Sequence, residues 1–145
     1  MPIKFFGNTN KHGWLSNFSE HPVMIDEIEY PTVEHYYQCE KCTDNGDYKW
    51  VFMSASPGQA KRRGKSVSIR PDWDSVKTDI MKKALEAKIT QHPHLRRLLL
   101  ETGTEDLVED SPYDWYWGCG KNGTGQNVMG HLWMTIRESL KKGKL

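Results

Sequence analysis

The fold is organised around the stretch Tyr30-Pro31-Thr32-Val33-Glu34-His35-Tyr36-Tyr37-Gln38-Cys39-Glu40-Lys41. Pro31 keeps the chain extended, so that Thr32 can cap a helix whose first turn carries Glu34 near the positive end of the helix dipole. At about 100° per residue, Glu34, Gln38 and Lys41 fall on one face of this helix. An acid, an amide and an amine therefore share a face, which is either a solvated stripe or part of a functional site.

Length and composition predict one soluble domain. The chain has 145 residues, enough to bury roughly two thirds of its unfolded surface without metals or disulfide bridges. It is 37% apolar with a formal net charge of +1, which indicates neither disorder nor a general attraction to nucleic acid. No apolar run is long enough to span a membrane, and the N-terminus lacks a signal-peptide core. We therefore expect a cytoplasmic single domain over residues 1–145 with no membrane partner; the oligomeric state is not indicated.

Local patterns predict a small N-terminal sheet followed by several helices. Residues 2–6 are expected to form a strand, residues 7–10 a turn, and residues 23–25 and 28–30 a hairpin. Beyond the Glu34 helix we expect helices over residues 48–55, 57–65, 74–91, 95–102 and from 127 onward, with a strand at 107–109. Asp74 and Asn127 are the expected caps of the helices that follow them.

Helical spacing predicts the buried faces of two of these helices. The helix over residues 74–91 is expected to bury Val76, Ile80, Met81, Ala84 and Ala87, and the last helix Val128, Leu132, Ile136 and Leu140. Lys88 is expected at the edge of the first face, with its amine extending outward.

A dense positive patch lies at the end of the helix over residues 57–65. It comprises Lys61, Arg62, Arg63 and Lys65, and Gly64 is interpreted as a glycine that ends the helix. Because arginine binds phosphate through a planar fork and lysine adds a point charge, the patch is either a local phosphate clamp or a solvated basic face. No RNA-binding or zinc-finger motif accompanies it, although a nucleic-acid partner stays open.

The cysteines and the paired histidines do not indicate a metal site. Cys39 and Cys42 form a lone C-x-x-C inside a predicted helix, and Cys119 makes the number odd in a chain without an export signal, which indicates free thiols. His92 and His94 flank a proline at a helix junction, and we interpret them as local structure. We expect neither a metal nor a cofactor.

Residues 113–117 surround Asp114 with four aromatic side chains, and a loop with four glycines follows over residues 118–126. Glycines suit either close approach of the backbone to a ligand or a flexible turn. Their spacing is not that of a dinucleotide-binding strand–turn–helix motif. Trp73, Trp115, Tyr116 and Trp117 can stack on a base or pyrimidine, although core packing is the commoner role of such residues.

Specific short segments also occur in a fixed order along the chain. They are Leu15-Ser16-Asn17-Phe18, Tyr30-Pro31-Thr32-x-Glu34-His35-Tyr36-x-Gln38-x-x-Lys41, Arg70-Pro71-Asp72-Trp73-Asp74, Gln91-His92-Pro93, Asp114-x-Tyr116-Trp117-Gly118-x-Gly120 and Gly125-x-Asn127-x-x-Gly130. Together they resemble the YbiA-like (NADAR) family across nearly the whole chain. The resemblance implies a single compact α+β domain, rich in helix with a small N-terminal sheet or hairpin, that hydrolyses a ribosyl N-glycosidic bond without a metal or cofactor.

The resemblance implies one of two substrate classes. One set of family members cleaves phosphorylated ribosylamino-pyrimidine intermediates of riboflavin synthesis and releases ribose 5-phosphate, and another removes ADP-ribose from modified guanine bases. We expect hydrolysis of the C1′–N bond of an N-linked ribosyl phosphate compound. The alternatives are a hydrolase that acts on ADP-ribosylated guanine in nucleic acid, and a non-catalytic module that binds a nucleotide or ADP-ribose.

The resemblance also implies the site. The family's catalytic positions match Glu34, Lys41, Trp73 and Asp114 in this chain. The residues expected to bind substrate are Asn17, Gln38, Arg62, Lys65, Arg70, Tyr116, Trp117, Gly118 and Asn127. The phosphate contacts among them fall on Arg62, Lys65 or Arg70, and Cys119 is excluded because it occupies a variable position.

These residue types permit a Schiff-base route. Glu34 can donate and reclaim a proton while an unprotonated Lys41 replaces the departing amine on C1′. Free lysine has a pKa of about 10.4, so Lys41 needs desolvation or a nearby cation, for which Trp73 and Arg62 are the candidates. Asp114 can bind ribose hydroxyls or orient water. A two-carboxylate oxocarbenium route, with Lys41 as an electrostatic contact, stays open.

Overall fold

The computed structural model describes residues 1–7 and 11–145 and shows an α+β fold that is rich in helix. In chain order the elements are β1 (Ile3–Phe5), a 3₁₀ turn (Gly13–Leu15), β2 (Val23–Ile25), β3 (Ile28–Tyr30), α1 (Val33–Glu40), α2 (Asn45–Phe52), α3 (Pro57–Gly64), α4 (Trp73–Gln91), α5 (Pro93–Glu101), β4 (Leu107–Glu109) and α6 (Val128–Lys141). The strands form two small sheets, β1 with β4 and β2 with β3. The predicted fold class is confirmed. Residues 8–10 of the turn predicted over residues 7–10 lie outside the described residues.

The chain packs as two compact units. The central unit is Asn17–Gln91, and the terminal unit combines Met1–Ser16 with His92–Leu145. The single domain predicted over residues 1–145 stays a prediction. Throughout residues 1–7 and 11–145, no helix has both the length and the apolarity needed to cross a lipid bilayer.

Helix α1 is the buried helix of the central unit. It contacts α2, α3 and α4, and its residues from Val33 to Cys39 are all buried. Thr32 caps it as predicted, because its hydroxyl oxygen accepts a hydrogen bond from the His35 amide over 3.2 Å. Nε2 of the His35 ring donates to the carbonyl of Ser54, which can only accept, and Nδ1 forms a second hydrogen bond with the Thr32 hydroxyl over 2.8 Å. The interpretation of α1 as carrying a solvated stripe is therefore wrong.

The predicted hairpin of β2 and β3 is present and is attached to α4. The two strands pair antiparallel. Asp26 and Glu27 form the turn with φ of 52° and 69°, which is the left-handed backbone that two-residue hairpins require. The side-chain amide of Gln91 accepts from the Met24 amide and donates to the Met24 carbonyl, each over 2.8 Å. These two bonds join β2 to the end of α4.

Helix α4 departs from its predicted pattern in two respects. It begins at Trp73, so Asp74 lies in its first turn and does not cap it. The prediction that Lys88 extends outward is wrong, because the residue is 1% exposed and its amine donates to the Ser19 hydroxyl oxygen over 2.6 Å. The buried residues around it are Met81, Ala84, Leu85 and Ile89, whereas Val76, Ile80 and Ala87 are only half-buried.

Helices α2 and α3 begin at polar caps. Helix α2 starts at Asn45, earlier than predicted, because the carboxylate of Asp44 caps it by accepting from the Asp47 amide over 2.7 Å. Helix α3 starts at Pro57 as predicted and ends at Gly64. The prediction that the helix ends at Gly64 is confirmed, although Gly64 lacks the positive φ of the glycine that often follows a helix.

The terminal unit is built on the parallel pair of β1 and β4, with Ile3 opposite Leu107. Helix α6 packs against β4 and α5. The contact with β4 is close because Gly130 has no side chain, and an added Cβ there would overlap the carbonyl oxygen of Leu107. A larger residue at position 130 would therefore separate α6 from the strand.

Helix α6 buries a different stripe from the predicted one. Its buried residues are Met129, Gly130, Trp133, Ile136 and Arg137, whereas Val128, Leu132 and Leu140 are only half-buried. The indole of Trp133 donates to the Leu15 carbonyl over 3.1 Å. The guanidinium of Arg137 donates to the Thr102 hydroxyl and the Glu105 carbonyl, over 2.9 and 2.8 Å. The hydrogen bonds of Trp133 and Arg137 therefore determine which face of α6 is buried. The spacing of apolar residues does not reveal them.

Candidate active site

Glu34 and Gln38 form the centre of a polar cluster inside the central unit. The side-chain amide of Gln38 donates to Oε2 of Glu34 over 2.7 Å, as their shared face on α1 predicts. Glu34 is 6% exposed and Gln38 5%. The backbone amide of Glu34 donates to the Asn17 carbonyl over 3.2 Å, which holds the segment before β2 against the start of α1. Three predicted site residues are thus in one buried cluster.

Burial raises the pKa of Glu34 above its ordinary value of 4.5. Hydrogen bonding from Gln38, the charges of Lys61 and Lys41, and hydrogen bonding from Asn17 oppose this rise without cancelling it. A carboxyl group in this environment keeps its proton to a higher pH than an exposed glutamate. It is therefore suited to donate a proton at a pH where an exposed glutamate is already ionised.

Lys41 is the residue that follows α1, and it is half-buried. Its amine lies 3.4 Å from the Gly64 carbonyl oxygen and 5.9 Å from the centroid of the Trp73 ring. Burial lowers the pKa of Lys41 below 10.5; the charge of Glu34 opposes this, and the cations Lys65 and Lys77 add to it. The amine is therefore neutral at a lower pH than a free lysine.

The cations that depress the pKa of Lys41 differ from the predicted one. The largest cationic influences on the pKa of Lys41 come from Lys65 and Lys77, and the expected neighbour Arg62 is not among them. Arg62 lies on α3 with its side chain exposed. The other expected neighbour, Trp73, is in contact with the amine.

A short backbone pairing brings Trp73 to Lys41. Cys42 and Ile69 form an antiparallel bridge, and the Arg70 amide donates to the Lys41 carbonyl over 2.9 Å. Helix α4 then starts at Trp73, whose ring is 8% exposed and lies 4.9 Å from the Tyr37 ring, centroid to centroid. Stacking of Trp73 on a base stays a prediction.

Two buried acceptors in this cluster lack hydrogen-bond donors among the described residues. They are Oδ1 of Asn17 and Oε1 of Gln38. The amide nitrogen of Asn17 lies 3.4 Å from the Met81 sulfur, a weak acceptor. Unpaired buried acceptors are uncommon in folded proteins and occur at functional sites, which supports the assignment of both residues to the site.

The predicted phosphate ligands differ in their availability. Arg62 and Lys65 are exposed near the end of α3. Arg70 instead makes two hydrogen bonds to the carboxylate of Asp72, over 2.7 and 3.1 Å, so a phosphate would have to replace that partner. Arg63 also belongs to the basic patch, and its guanidinium donates to the Trp50 carbonyl over 2.6 Å. The patch is therefore part solvated and part structural.

Four of the predicted site residues lie in the loop between β4 and α6 of the terminal unit. Oδ1 of Asp114 accepts hydrogen bonds from the amides of Tyr116 and Trp117, over 2.9 and 2.7 Å, which closes a tight turn. The Tyr116 and Trp117 rings pack edge to face with centroids 4.9 Å apart. Gly118 is buried, and an added Cβ would come within 3.0 Å of the Asp114 and Glu109 carbonyl oxygens. Loop packing therefore explains the glycine at 118.

Asn127 does not cap α6 with its side chain. It has φ of 51°, and its amide instead accepts from the Glu109 amide and donates to the Leu107 carbonyl, each over 2.9 Å. Both polar ends of the side chain therefore hold β4. Its predicted contact with substrate is untested, and these bonds give Asn127 a structural role.

The cysteines are free thiols in unreactive surroundings. Burial raises the pKa of Cys39 to about 12 and that of Cys42 to about 11, so the thiolate forms are scarce near neutral pH. In the part of the chain that the structure describes, no group of three or more His, Cys, Asp or Glu side chains is arranged to hold a metal ion.

Two residues of the central cluster are absent from the predicted site. Lys61 was assigned only to the basic patch, but its charge acts on Glu34, and its amine lies 5.9 Å from the Phe18 ring centroid. Gly64 was interpreted only as a helix end, but it contacts both Gln38 and Lys41. The sequence did contain a signal for Gly64, because glycine is an unfavourable residue within a helix unless another constraint requires it.

Known proteins similar to this chain match it almost end to end. A family model described as the NADAR domain matches residues 4–141. The N-glycosidase YbiA of Escherichia coli (strain K12) is 41% identical over 140 residues, covering 95% of this chain and 88% of that protein. The N-glycosidase Npun_R5314 of Nostoc punctiforme is 40% identical over 146 residues, covering 97% and 94%. The NMR structure of E. coli YbiA matches with a TM-score of 0.89 and 41% identity over 98% of this chain and 86% of that one.

A more distant relative is named for a biosynthetic pathway. The riboflavin biosynthesis protein PYRR, chloroplastic, of Zea mays is 36% identical over 155 residues. The match covers 95% of this chain and 25% of that longer protein. The similarity thus corresponds to one portion of the maize protein.

Proposed function

The chain belongs to the NADAR family and is an N-glycosidase on the strength of its close relatives, and we propose that it hydrolyses the C1′–N bond of an N-linked ribosyl phosphate. The substrate class that we favour is a phosphorylated ribosylamino-pyrimidine, with ribose 5-phosphate as the product. The similarity to a protein named for riboflavin biosynthesis supports this class. The non-catalytic alternative has no support among these relatives, since the close ones are named as enzymes.

The first proposed step is proton donation by Glu34. Transfer of the Glu34 proton to the ribose ring oxygen allows the C1′–O bond to break, which leaves a protonated imine between C1′ and the exocyclic nitrogen and an ionised Glu34. The raised pKa of Glu34 supports this role, because the carboxyl group stays protonated at a pH where an exposed glutamate is ionised.

The second proposed step is attack by Lys41. Its neutral amine adds to C1′, the bond from C1′ to the substrate nitrogen then breaks, and the base leaves as a free amine with a proton relayed by Glu34. Lys41 is now joined to C1′ as an imine. Water adds to that carbon, the bond to Nζ breaks, and the sugar leaves as its aldehyde, which closes to ribose 5-phosphate. No oxidant, metal or cofactor enters the balance.

Binding roles complete the proposal. Arg62 and Lys65 are assigned to the phosphate because their side chains are exposed at the end of α3, close in sequence to Gly64, which contacts Lys41. Asn17 and Gln38 are assigned to the sugar. Their unpaired side-chain oxygens can accept hydrogen bonds from ribose hydroxyl groups once those oxygens are exposed to the substrate. Asp114 is assigned to ribose hydroxyls or to water, from its motif alone.

One observation carries the proposal. A buried acid with a raised pKa and an amine with a lowered pKa stand at the two ends of one helix, and each is among the charges that act on the other. Pairs of titratable groups whose surroundings favour their neutral forms are typical of acid–base and Schiff-base sites.

The test is product release from a panel of ribosylated bases, identified by mass. Release of free base and ribose 5-phosphate from a ribosylamino-pyrimidine phosphate is the expected result. Borohydride added during turnover should leave a ribityl phosphate group on the peptide that contains Lys41. Release of base with no label on Lys41 would remove the Schiff base and leave the two-carboxylate route.

A second candidate is removal of ADP-ribose from guanine in nucleic acid. The observation in its favour is that Lys61, Arg62 and Lys65 are all exposed, enough positive charge for a pyrophosphate or a strand. Including an ADP-ribosylated oligonucleotide in the same panel separates the two substrates. Faster release from the oligonucleotide than from the pyrimidine phosphate would favour this candidate.

A further inference from the structure

Gly64 occupies a helical position where its own backbone does not require glycine. It is the last residue of α3 and lacks the positive φ that only glycine adopts readily. Alanine is the better helix former at such a position. Some other constraint must therefore account for the missing side chain.

That constraint is the space taken by Gln38. A Cβ added at Gly64 would overlap Oε1 of Gln38 and would lie 2.7 Å from its Cδ and 3.3 Å from its Cγ. Gln38 is 5% exposed on a helix that is buried on every side, so its amide has little room to move away. The side chain of Gln38 thus rests against the bare backbone of α3.

Gly64 also borders the second reactive group. Its carbonyl oxygen lies 3.4 Å from the amine of Lys41. On its other side, the Gln38 amide that rests on Gly64 donates to Glu34 over 2.7 Å. One residue without a side chain therefore contacts both the amine and the hydrogen-bond donor of the acid.

We propose that Gly64 is a positioning residue for the reaction, because its missing side chain seats the Gln38 amide against Glu34 and its carbonyl oxygen orients the amine of Lys41. This inference rests on the roles proposed above for Glu34 and Lys41. Gly64 acts through these two neighbours, because its backbone contacts the Gln38 side chain and the Lys41 amine and it has no group that can give or take a proton.

The effect of a side chain at position 64 follows from the geometry. In Gly64→Ala, the Gln38 amide has to leave its position, and Glu34 loses that donor. The other groups that act on Glu34 are Lys61 from α3, Lys41 at the end of α1 and Asn17 before β2, and the substitution alters none of them directly. The pKa of Glu34 should therefore rise further, because hydrogen bonding from Gln38 is the largest influence that lowers it.

The chain offers a matched control on the same helix. Gly58 is also in α3, and a Cβ there would meet its nearest atom, in the Arg62 side chain, at an ordinary 3.5 Å. In Gly64→Ala we expect kcat to fall by about 10- to 100-fold with KM nearly unchanged, as for a small misplacement of reacting groups. Gly58→Ala should keep the kcat of the parent protein. Equal kcat in the two variants would overturn the proposal.

A titration of Glu34 separates this inference from the proposed function. The carboxyl carbon of Glu34, followed by NMR in ¹³C-glutamate-labelled protein and assigned with Glu34→Gln, reports its pKa without any substrate. The value should rise in Gly64→Ala and stay in place in Gly58→Ala. A wild-type protein that releases no base would refute the proposed function, whereas an unmoved Glu34 titration in Gly64→Ala would refute the role of Gly64.

A double variant keeps the test decisive if Gly64→Ala does not fold. Gln38→Ala removes the atoms that the new Cβ would meet, so Gln38→Ala/Gly64→Ala should fold as well as Gln38→Ala alone. It should also have the same Glu34 titration and kcat as Gln38→Ala. If adding Gly64→Ala to Gln38→Ala lowers kcat by as much as Gly64→Ala does in the wild-type protein, Gly64 does not act through Gln38.

Discussion

The amine of Lys41 lies 5.9 Å from the centroid of the Trp73 ring, which is itself 8% exposed. An aromatic face attracts the charged form of the amine, whereas loss of water disfavours it. Burial is the largest influence on Lys41, so the net effect is a lowered pKa. The Lys41 amine is therefore available as a nucleophile at a lower pH than free lysine, despite its contact with the Trp73 ring.

The first prediction is that Lys41 reacts with aldehydes at a lower pH than free lysine does. Reductive methylation requires the neutral amine, so the labelling rate should rise through the pKa of Lys41, which lies below 10.5. Glu34→Gln should lower this midpoint further, because the charge of Glu34 favours protonated Lys41. Labelling is read by mass of the Lys41 peptide, with free lysine as the reference. A midpoint at or above that of free lysine would contradict the prediction.

The second prediction distinguishes a nucleophile from a simple positive charge at position 41. Lys41→Ala and Lys41→Arg should both lower kcat by about a thousand-fold or more, because arginine keeps the charge but cannot form the imine. The measurement is single-turnover release of base at saturating substrate. An arginine variant that retains a tenth of the activity would instead indicate an electrostatic contact and the two-carboxylate route.

The third prediction is that Glu34→Gln loses activity and gains stability. Loss of the acid should lower kcat by about 10²- to 10⁴-fold. Above pH 4.5 the unfolded chain ionises at this position while the fold holds the proton, so wild-type stability falls as the pH rises to the folded pKa and is then constant. Urea unfolding should show the variant to be more stable than wild type at pH 7, by a margin that shrinks toward pH 4.5. A constant margin across that range would count against the raised pKa.

Local signals in the sequence were sufficient for much of the fold. The Thr32 cap, the hairpin of β2 and β3 and the start of α3 at Pro57 each depend on residues that are close in the chain. The shared face of Glu34 and Gln38 follows from helical spacing alone, and their hydrogen bond confirms it. Short-range geometry alone is enough to predict these features.

The features that were missed depend on contacts distant in sequence. Lys88 is buried because its amine meets Ser19, which is 69 positions earlier, and a periodic pattern cannot report such a partner. The side chain of Asn127 binds β4 instead of its own helix. The contact of Gly64 with Gln38 arises from the packing of α3 on α1. The role of Asp114 stays a prediction from its motif.

The fourth prediction concerns phosphate recognition on α3. Arg62→Ala and Lys65→Ala should each raise KM for the phosphorylated substrate by about 10-fold, the loss expected for one charge-assisted hydrogen bond. The dephosphorylated substrate should show little change. Lys49→Ala removes an exposed cation from α2 and serves as the control for net charge. Equal effects on both substrates would refute the phosphate clamp.

The last prediction concerns the pH dependence of stability through Lys88. Burial lowers the pKa of Lys88 from 10.5 to about 7, so between these values the unfolded chain binds a proton that the folded chain does not. This contribution makes stability rise with pH across that window, by up to about 1.4 kcal/mol per pH unit, and it is lost as the pH falls toward 7. Lys88→Met fills a similar volume without a titrating group.

Urea unfolding of wild type and Lys88→Met at pH 7, 8, 9 and 10 isolates this contribution, because every other titrating group is common to the two proteins. The difference in unfolding free energy between wild type and variant should therefore increase steadily with pH in favour of wild type. Lys88 donates to Ser19, and Ser19→Ala keeps the lysine, so that variant should retain the wild-type slope even if it is less stable. Parallel pH curves for wild type and Lys88→Met would mean that the Lys88 amine remains charged inside the fold.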